Sequence, residues 1–229
     1  MHLITFINRC HNFFLRQALY PVLLSTLLAC GIFGGRVILS GGWTFYFLVW
    51  NLFLAWIPFL LGVGATLIHQ VQPRRWWILL GMGLVWLLFF PNAPYLLTDL
   101  LHLRSMPPMP IWYDVGLLAA FAWAGLFLAV FSLHAMQSLV KTYAGLWGSW
   151  LFVFGVVGLS GLGVYVGRFL RWNSWDLLLQ PRAVLVDIVL RISHPLHNLA
   201  AFGVTLLFAL FLLVCYVAMT TVNPLQRKS

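Results

Sequence analysis

Six long apolar segments, separated by short polar connections, constrain the fold of this chain more than any other feature. A helix of about 20 apolar residues crosses a bilayer core of about 30 Å. The sequence therefore predicts an all-α, polytopic transmembrane helix bundle that forms a single integral membrane domain over residues 1–229. The predicted spans are 18–38, 43–68, 76–97, 112–136, 144–169 and 199–220.

The composition supports a membrane location and argues against a nucleic-acid partner. Hydrophobic residues make up 62% of the chain and charged residues only 7%, whereas soluble domains carry roughly a quarter charged residues. The chain therefore has too little polar surface to cover itself in water, and we expect a lipid bilayer around it. Lys and Arg outnumber acids by 13 to 4, but they are scattered between the apolar segments, which favours a role in membrane orientation.

The distribution of charge predicts the orientation. Six crossings place both termini on one side, together with seven basic residues and no acid: Arg9, Arg16, Arg74, Arg75, Lys141, Arg227 and Lys228. The other side carries six Arg and all four Asp, but four of these Arg lie in or beside the long connection 171–198, and such loops contribute less to orientation. We therefore expect both termini in the cytoplasm.

Two prolines, Pro91 and Pro94, interrupt the third segment and predict a broken helix. They remove two backbone donors and leave the carbonyls of Leu87 and Phe90 without helical partners. Exposed backbone is tolerated inside a membrane only where protein or a water-filled cavity satisfies it, and broken helices of this kind carry binding sites in transporters. Asn92 lies in the break and could satisfy a freed carbonyl.

The connection before the last segment predicts a further helix. Pro181 suits a first helical turn, and Gln180, Asp187 and Arg191 fall along one face of otherwise apolar residues. This pattern indicates an amphipathic helix in the membrane interface or a short re-entrant piece. Asp187 and Arg191, four residues apart, could also form an ion pair.

Most of the chemically active side chains fall into two polar stretches, 90–103 and 167–176, at the predicted extracytoplasmic ends of the third to fifth segments. The candidate acid–base groups are Asp99, His102, Asp114 and Asp176, and the candidate substrate-binding groups are Asn92, Arg168, Arg171 and Asn173. Asp99 and His102 are three residues apart, so they share a face of a helical turn. Structural ion pairing between these charges is an equally good explanation, because charge near hydrocarbon needs a partner.

The same stretches resemble an uncharacterised bacterial membrane family, domain of unknown function 1361. The resemblance rests on Phe-Pro-Asn-Ala-Pro-Tyr (90–95), Thr-Asp-Leu-Leu-His-Leu (98–103), Trp-Tyr-Asp (112–114), Gly-Arg (167–168) and Arg-Trp-Asn-Ser-Trp-Asp (171–176). It implies a bacterial multi-pass membrane protein, which we place in the cytoplasmic membrane, and it implies no activity.

Several functions stay open. A membrane-embedded enzyme could use the Asp and His groups as acids and bases and the Arg pair to hold a lipid-linked or anionic substrate. A small solute or ion transporter and a non-catalytic subunit of a membrane complex are the alternatives. No cofactor is indicated. Metal binding by Asp99 and His102, with His194 and His197 or with Met106 and Met109, is a minor possibility.

A serine-protease interpretation of the fifth segment is rejected. Gly-Leu-Ser-Gly (158–161) has the local form of a rhomboid nucleophile, but the last segment contains no His to activate Ser160. Close helix packing explains the glycines of this segment.

Overall fold

The computed structural model describes His11, Leu15 and residues 18–103, 108–193 and 198–222, and in these residues every regular element is a helix. The elements are α1 (Leu19–Ser40), α2 (Tyr46–Val71), α3 (Trp76–Phe89), α4 (Asn92–Tyr95), a 3-10 helix (Leu96–His102), α5 (Ile111–Phe169), α6 (Asp176–Leu179), α7 (Pro181–Ser193) and α8 (Leu199–Val222). The predicted all-α helix bundle is confirmed.

Five helical segments in the described residues are long and apolar enough to cross a membrane. They are Leu19–Ser40, Tyr46–Val71, Trp76–His102, Ile111–Phe169 and Leu199–Thr221. The number of crossings depends on α5, because its 59 residues correspond to roughly 90 Å of helix, about three times the thickness of a bilayer core.

A break at Gly145 divides α5 into two halves. Its φ of 68° and ψ of −173° lie in a region of backbone conformation that residues other than glycine rarely adopt. Lys141 is part of the regular helix before the break. The turn predicted at residues 137–143 is therefore misplaced, because a polar side chain on an exposed helix face was taken for a turn signal.

The two halves of α5 run in opposite directions along the third segment. Trp86 contacts both halves, since its Nε1 donates to Ser132 Oγ at 2.7 Å and its ring stacks on Phe152 at 5.8 Å between centroids. Further along the third segment, Ala93 and Leu96 approach Gly125, whereas Pro91 approaches Gly163 and Tyr95 approaches Gly167. Along the third segment, from Trp86 to Leu96, the contacted residues therefore move from 132 back to 125 in the first half of α5. In the second half they move forward from 152 to 167. The chain reverses at Gly145, so all six predicted apolar segments are present as helices.

The third segment changes its hydrogen bonding at the prolines without leaving the helical path. α3 ends at Phe89, as the predicted break requires, but Phe90, Pro91 and Leu96 keep right-handed helical dihedral angles. The backbone then tightens into the 3-10 helix that ends at His102, five residues beyond the predicted end at 97. The whole segment has 27 residues, which is about 40 Å of helix and enough to cross a membrane core.

A buried hydrogen-bond chain joins α2, α3 and α5 in the middle of the bundle. Ser132 Oγ donates to the carbonyl of Pro58 at 2.9 Å and accepts from Trp86 Nε1. Trp86 is only 1% exposed, and Phe59, Phe90 and other large apolar side chains are buried with it. This core fixes the helices that carry the polar groups at one end of the bundle.

The helix α7 begins at Pro181, as predicted, and contains the predicted ion pair. Arg191 Nη1 lies 3.3 Å from Asp187 Oδ1. Leu185, Val189 and Leu190 are exposed, whereas Val184 is buried against the bundle. One face of α7 therefore packs on the protein and another presents apolar side chains outward.

Some sequence predictions concern residues outside the described part of the chain. They involve Arg9, Arg16, Arg104, Met106, His194, His197, Arg227 and Lys228.

Candidate functional site

The two polar stretches predicted from the sequence lie together at one end of the bundle. Asn92 Nδ2 donates to Ser174 Oγ at 2.9 Å, and Arg168 Nη1 lies 3.6 Å from Asp99 Oδ1. These contacts join residues that are 82 and 69 positions apart in the chain. The prediction that both stretches share one end, on which every functional hypothesis depends, is confirmed.

Asn92 satisfies a backbone carbonyl at the proline break. Its Nδ2 donates to the carbonyl of Phe89 at 2.8 Å, while the backbone N–H of Ala93 donates to Phe90 O at 3.1 Å. The prediction named the carbonyls of Leu87 and Phe90, and the structure assigns Asn92 to Phe89 instead. The role of Asn92 as a carbonyl partner is confirmed, and its bond to Ser174 adds a tertiary link.

Asp99 is buried at the centre of a small polar cluster. Its Oδ2 accepts a hydrogen bond from Asn51 Nδ2 at 2.9 Å. Its Oδ1 lies 3.6 Å from Arg168 Nη1 and 3.7 Å from His102 Nδ1, and both distances exceed those of ordinary hydrogen bonds. Within the described residues this buried oxygen has no hydrogen-bond partner. The predicted interaction of Asp99 with His102 and an Arg of the second stretch is therefore present, with one carboxylate oxygen incompletely satisfied.

Arg168 completes the cluster, because it contacts His102 as well as Asp99. Its Nη2 lies 3.2 Å from Nδ1 and 3.3 Å from Nε2 of His102. A guanidinium can only donate, so a ring nitrogen of His102 is the acceptor in this contact. The positive charge of Arg168 and the negative charge of Asp99 balance. His102 also contacts the ring of Phe47 at 4.7 Å, and 40% of its side chain is exposed.

Asp114 belongs to a different contact. Arg36 Nε donates to its Oδ1 at 2.6 Å and Arg36 Nη2 donates to its Oδ2 at 3.3 Å. Arg36 is 2% exposed and Asp114 is fully buried, and the guanidinium lies 4.6 Å from the ring centroid of Phe45. Sequence reasoning named Asp114 only as one of three possible partners of Arg168 and Arg171, and it missed Arg36. The signal was an Arg near the end of an apolar segment, where a charge needs a partner.

Asp176 and Asn173 form a local turn before α6. Asp176 Oδ2 accepts from the backbone N–H of Asn173 at 2.7 Å and from its Nδ2 at 3.3 Å. Arg171, just before this turn, has a φ of 61° and an exposed side chain. Among the described residues it has no ion pair, so its charge is presented outward.

A cavity of about 390 Å³ lies beside this cluster, between α2, the proline break, the second half of α5 and α7. Its polar lining includes the amides and aliphatic hydroxyls of Asn51, Asn92, Ser160, Asn173 and Ser174, and Tyr95 and Trp172 add a phenol hydroxyl and an indole N–H. The described residues that line it include no charged side chain. Its walls are largely apolar, formed by Trp50, Leu54, Leu84, Leu87, Leu88, Phe90, Pro91, Tyr95, Val156, Leu159, Leu162, Gly163, Val166, Gly167, Trp172, Leu177, Val184 and Ile188.

Part of the cavity lining is exposed on the apolar surface of the bundle. Leu84 and Leu159 line the cavity and are 63% and 52% exposed. Asp99 does not line the cavity, but Asn51 does and is hydrogen-bonded to Asp99. The cavity therefore combines lining leucines that are exposed on the surface of the bundle with a group of amides and hydroxyls next to the charged cluster.

A contact from the loop to α7 covers one side of the cavity. Trp172 Nε1 donates to Asp187 Oδ2 at 2.9 Å, and Val184 and Ile188 of α7 contribute to the lining. The hydrogen bond from Trp172, together with the charge of Arg191, holds the pKa of the Asp187 carboxyl below its usual value. Sequence reasoning found the pair of Asp187 and Arg191 but not the contact with Trp172.

The described residues contain no group of three or more His, Cys, Asp or Glu that could hold a metal ion. Asp99 and His102 supply two potential ligands, and the other two of the metal hypothesis, His194 and His197, lie outside the described residues. Ser160 is buried, and its Oγ has no hydrogen-bond partner in the described part of the chain.

Comparisons with known proteins place the chain in a family. A search of curated proteins and a search of solved structures each found no match. A family model described as Protein of unknown function (DUF1361) matches residues 50–215, a range that contains both polar stretches and the whole lining of the cavity. This match covers more than half of the chain, and the chain therefore belongs to the DUF1361 family.

Proposed function

We propose that this protein binds an amphipathic, lipid-like molecule in the cavity beside the proline break. The observation that carries the proposal is a cavity of about 390 Å³ with largely apolar walls and six amide or hydroxyl side chains, including that of Tyr95, inside an otherwise apolar bundle. Ligand sites have this composition, with mostly apolar walls and a few placed polar groups. The ligand enters from the bilayer, because exposed leucines form the mouth of the cavity.

We further propose a bacterial cytoplasmic membrane location, six crossings, and both termini in the cytoplasm. The reversal at Gly145 supports six crossings, because it leaves two antiparallel helices where a single span of 59 residues would be too long. The polar end of the bundle then faces the extracytoplasmic side. In this orientation the cavity is reached from the outer half of the bilayer.

Asp99 and His102 are the proposed acid–base pair of an enzyme acting on this ligand. Support comes from the incompletely satisfied Oδ1 of Asp99 and from the exposure of His102. Asn51 joins the cavity to Asp99, so a ligand on that side of the cavity lies close to the carboxylate. Arg168 balances the charge of Asp99, and Arg171 is the exposed cation available to an anionic group at the surface.

The other candidate residues have positioning roles in this proposal. Asn92 and Asn173 hold the proline break and the loop that line the cavity. Asp176 fixes that loop, and Asp114 neutralises Arg36 in a closed ion pair. Neither carboxylate takes part in the proposed chemistry.

Photo-crosslinking tests the binding proposal. A benzophenone amino acid replaces Leu87, which lines the cavity, and, as the matched control, Leu210, which is exposed on α8. We expect position 87 to capture one or a few molecular species, identified by mass spectrometry, and position 210 to capture the bulk lipid mixture. The same mixture at both positions would contradict the proposal, whereas capture of a discrete protein at position 87 would favour the role of a complex subunit.

The acid–base role needs a separate test. Asp99→Asn and His102→Ala are compared with the wild type for rescue of a deletion strain and for ligand capture at position 87. We expect both variants to capture the ligand but to fail in rescue, because binding uses the cavity and chemistry uses the cluster. Full rescue by both variants would show that the acid–base role is wrong and leave binding or transport as the function.

A further inference from the structure

Ser160 differs from the other buried serine and threonine side chains of the described residues. Four of these hydroxyls donate to a backbone carbonyl at 2.7 to 3.0 Å: Ser25 to Val22, Thr98 to Tyr95, Ser132 to Pro58 and Ser149 to Leu146. Ser160 is the fifth; it is 1% exposed, and within the described part of the chain its Oγ has no hydrogen-bond partner. It lines the cavity, so the unused hydroxyl belongs to the wall of the proposed ligand site.

An unused hydroxyl at such a position is unfavourable for folding. Serine hydroxyls in helices commonly bond to a carbonyl of the preceding turn, as Ser149 does in the same half of α5. A buried polar group without a partner costs free energy. A ligand that hydrogen-bonds to Ser160 would remove this cost, and so would favour its own binding.

The donors and acceptors that are still free in the cavity lining indicate which polar group of a ligand can bind there. The Nδ2 of Asn51 is used by Asp99, and the Nδ2 of Asn92 is used by Phe89 and Ser174. Within the described residues, the Oδ1 atoms of both amides are left as acceptors, and the second Nδ2 hydrogen of Asn51 is left as a donor. Ser160 itself can both donate and accept. A ligand hydroxyl, which also donates and accepts, matches this set.

The charges around the cavity disfavour an anionic group inside it. None of the described lining residues is charged. Arg168 is the nearest cation of the polar cluster, and Asp99 offsets its charge at 3.6 Å. A phosphate placed among amide oxygens without a counter-charge would be poorly compensated.

We infer that the polar end of the ligand is uncharged, carries a hydroxyl, and is hydrogen-bonded to Ser160. This inference rests on the proposed function and names its ligand class: a neutral amphiphile with a free hydroxyl, such as a diacylglycerol or a long-chain alcohol. The apolar chain of the ligand lies against Leu84, Leu87 and Leu159, and extends through the mouth of the cavity into the bilayer.

The test uses two photoreactive lipids with identical diazirine-bearing chains, a diacylglycerol and a phosphatidic acid. The purified full-length protein is reconstituted in phosphatidylcholine vesicles with one probe at a time, and labelled peptides are quantified by mass spectrometry. Wild type is compared with Ser160→Ala and with Ser149→Ala, a matched control whose hydroxyl is already bonded to Leu146 O and does not line the cavity. We expect the diacylglycerol to label the lining peptides more than the phosphatidic acid. Ser160→Ala should lower diacylglycerol labelling about five-fold, the loss of one net hydrogen bond, and Ser149→Ala should leave it unchanged.

The outcomes separate this inference from the function on which it rests. Equal diacylglycerol labelling of wild type and Ser160→Ala, or preferential labelling by phosphatidic acid, overturns the inference and leaves lipid binding intact. Labelling of the lining no stronger than that of α8 with both probes overturns the proposed function itself. Thermal unfolding provides a second readout: Ser160→Ala should be at least as stable as wild type, because it removes an unsatisfied hydroxyl. A clear loss of stability would show that Ser160 has a structural partner and would also overturn the inference.

Discussion

The buried charged side chains form two contacts with different geometry. Arg36 and Asp114 make a bidentate pair with a shortest distance of 2.6 Å, and both are almost completely buried. Asp99 and Arg168 approach only to 3.6 Å, and one oxygen of Asp99 is left incompletely satisfied. The first contact is closed and suits a structural role. The second keeps unused bonding capacity, and this makes it the better candidate for chemistry.

The closed pair makes a specific prediction about stability. Asp114→Asn should destabilise the protein by about 3–5 kcal/mol, because it leaves the buried Arg36 without its counter-charge. The double variant Arg36→Met, Asp114→Leu should be more stable than Asp114→Asn, because it buries no charge at all. Thermal unfolding in detergent measures both. A double variant that is less stable than Asp114→Asn would show that the pair contributes more than mutual neutralisation.

Local spacing explains which members of the site could be predicted from the sequence. Asp99 and His102 are three residues apart, and Arg168 follows a long apolar segment, so both groups stand out in the sequence. The partner of Asp114 is 78 residues away, and that pairing depends on how α1 packs against α5. Asn51 was visible only as a polar residue in an apolar segment, because its bond to Asp99 also depends on tertiary packing.

Helix packing at the level of elements assigns different roles to the glycines of α5. A Cβ atom on Gly163 would lie 2.7 Å from Pro91, and one on Gly161 would clash with the backbone carbonyl of Thr205 in α8. Gly155 and Gly158 have open space at the same position. Close packing was the sequence-based explanation for all of these glycines. It is confirmed for Gly161 and Gly163 and wrong for Gly155 and Gly158, which pack against no other helix of the described chain. A glycine pattern shows that close approach is possible but not which face another helix occupies.

Gly161→Ala and Gly158→Ala test this difference directly. Gly161→Ala should destabilise the contact between α5 and α8 by about 1–3 kcal/mol, as overpacking does, because the clashing atom is backbone. Gly158→Ala should be neutral or stabilising by up to about 1 kcal/mol, because alanine favours a helix over glycine. Unfolding temperatures of the two variants in the same detergent give the comparison, and equal losses would contradict the assigned packing.

The attachment of α7 should depend on pH through Asp187. Its folded-state pKa is lowered, first by the hydrogen bond from Trp172 and then by Arg191, so the carboxylate stabilises the attachment at neutral pH. That stabilisation is lost as the pH falls below the ordinary Asp range of about 4 and through the lowered pKa. A spin label at exposed Leu190, in a cysteine-free background, should therefore be immobile at neutral pH and become mobile in acid.

Asp187→Asn is the control for this pH dependence. It removes the titrating group, so the label at position 190 should have the same mobility at every pH. A mobility change with pH that persists in Asp187→Asn would assign the effect to another group.

Contacts across the whole molecule define two distinct ends. Asp99, Asp114 and Asp187 are paired with Arg at one end. Near the other end, Tyr143 is hydrogen-bonded to His69, and Tyr216 donates to Gln137. Hydropathy and the distribution of charge predicted that the acidic residues lie together at one end of the bundle. They placed the reversal at residues 137–143, a few residues before its position at Gly145, because Lys141 is the strongest polar signal in this region and the break itself is made by a single glycine.

Reporter fusions test this arrangement in the cell. Fusions of alkaline phosphatase and of a green fluorescent protein are placed after Gln72, Gly145 and Gln180, which lie in three connections of the described chain. We expect the first two sites to give fluorescence without phosphatase activity, because Arg74, Arg75 and Lys141 favour the cytoplasmic side. Gln180 should give phosphatase activity, since it follows the second half of α5. Equal signals after Gly145 and Gln180 would mean that this half does not cross the membrane. An inverted pattern at all three sites would instead keep six crossings and place the cavity on the cytoplasmic side, so that its ligand would come from the inner leaflet.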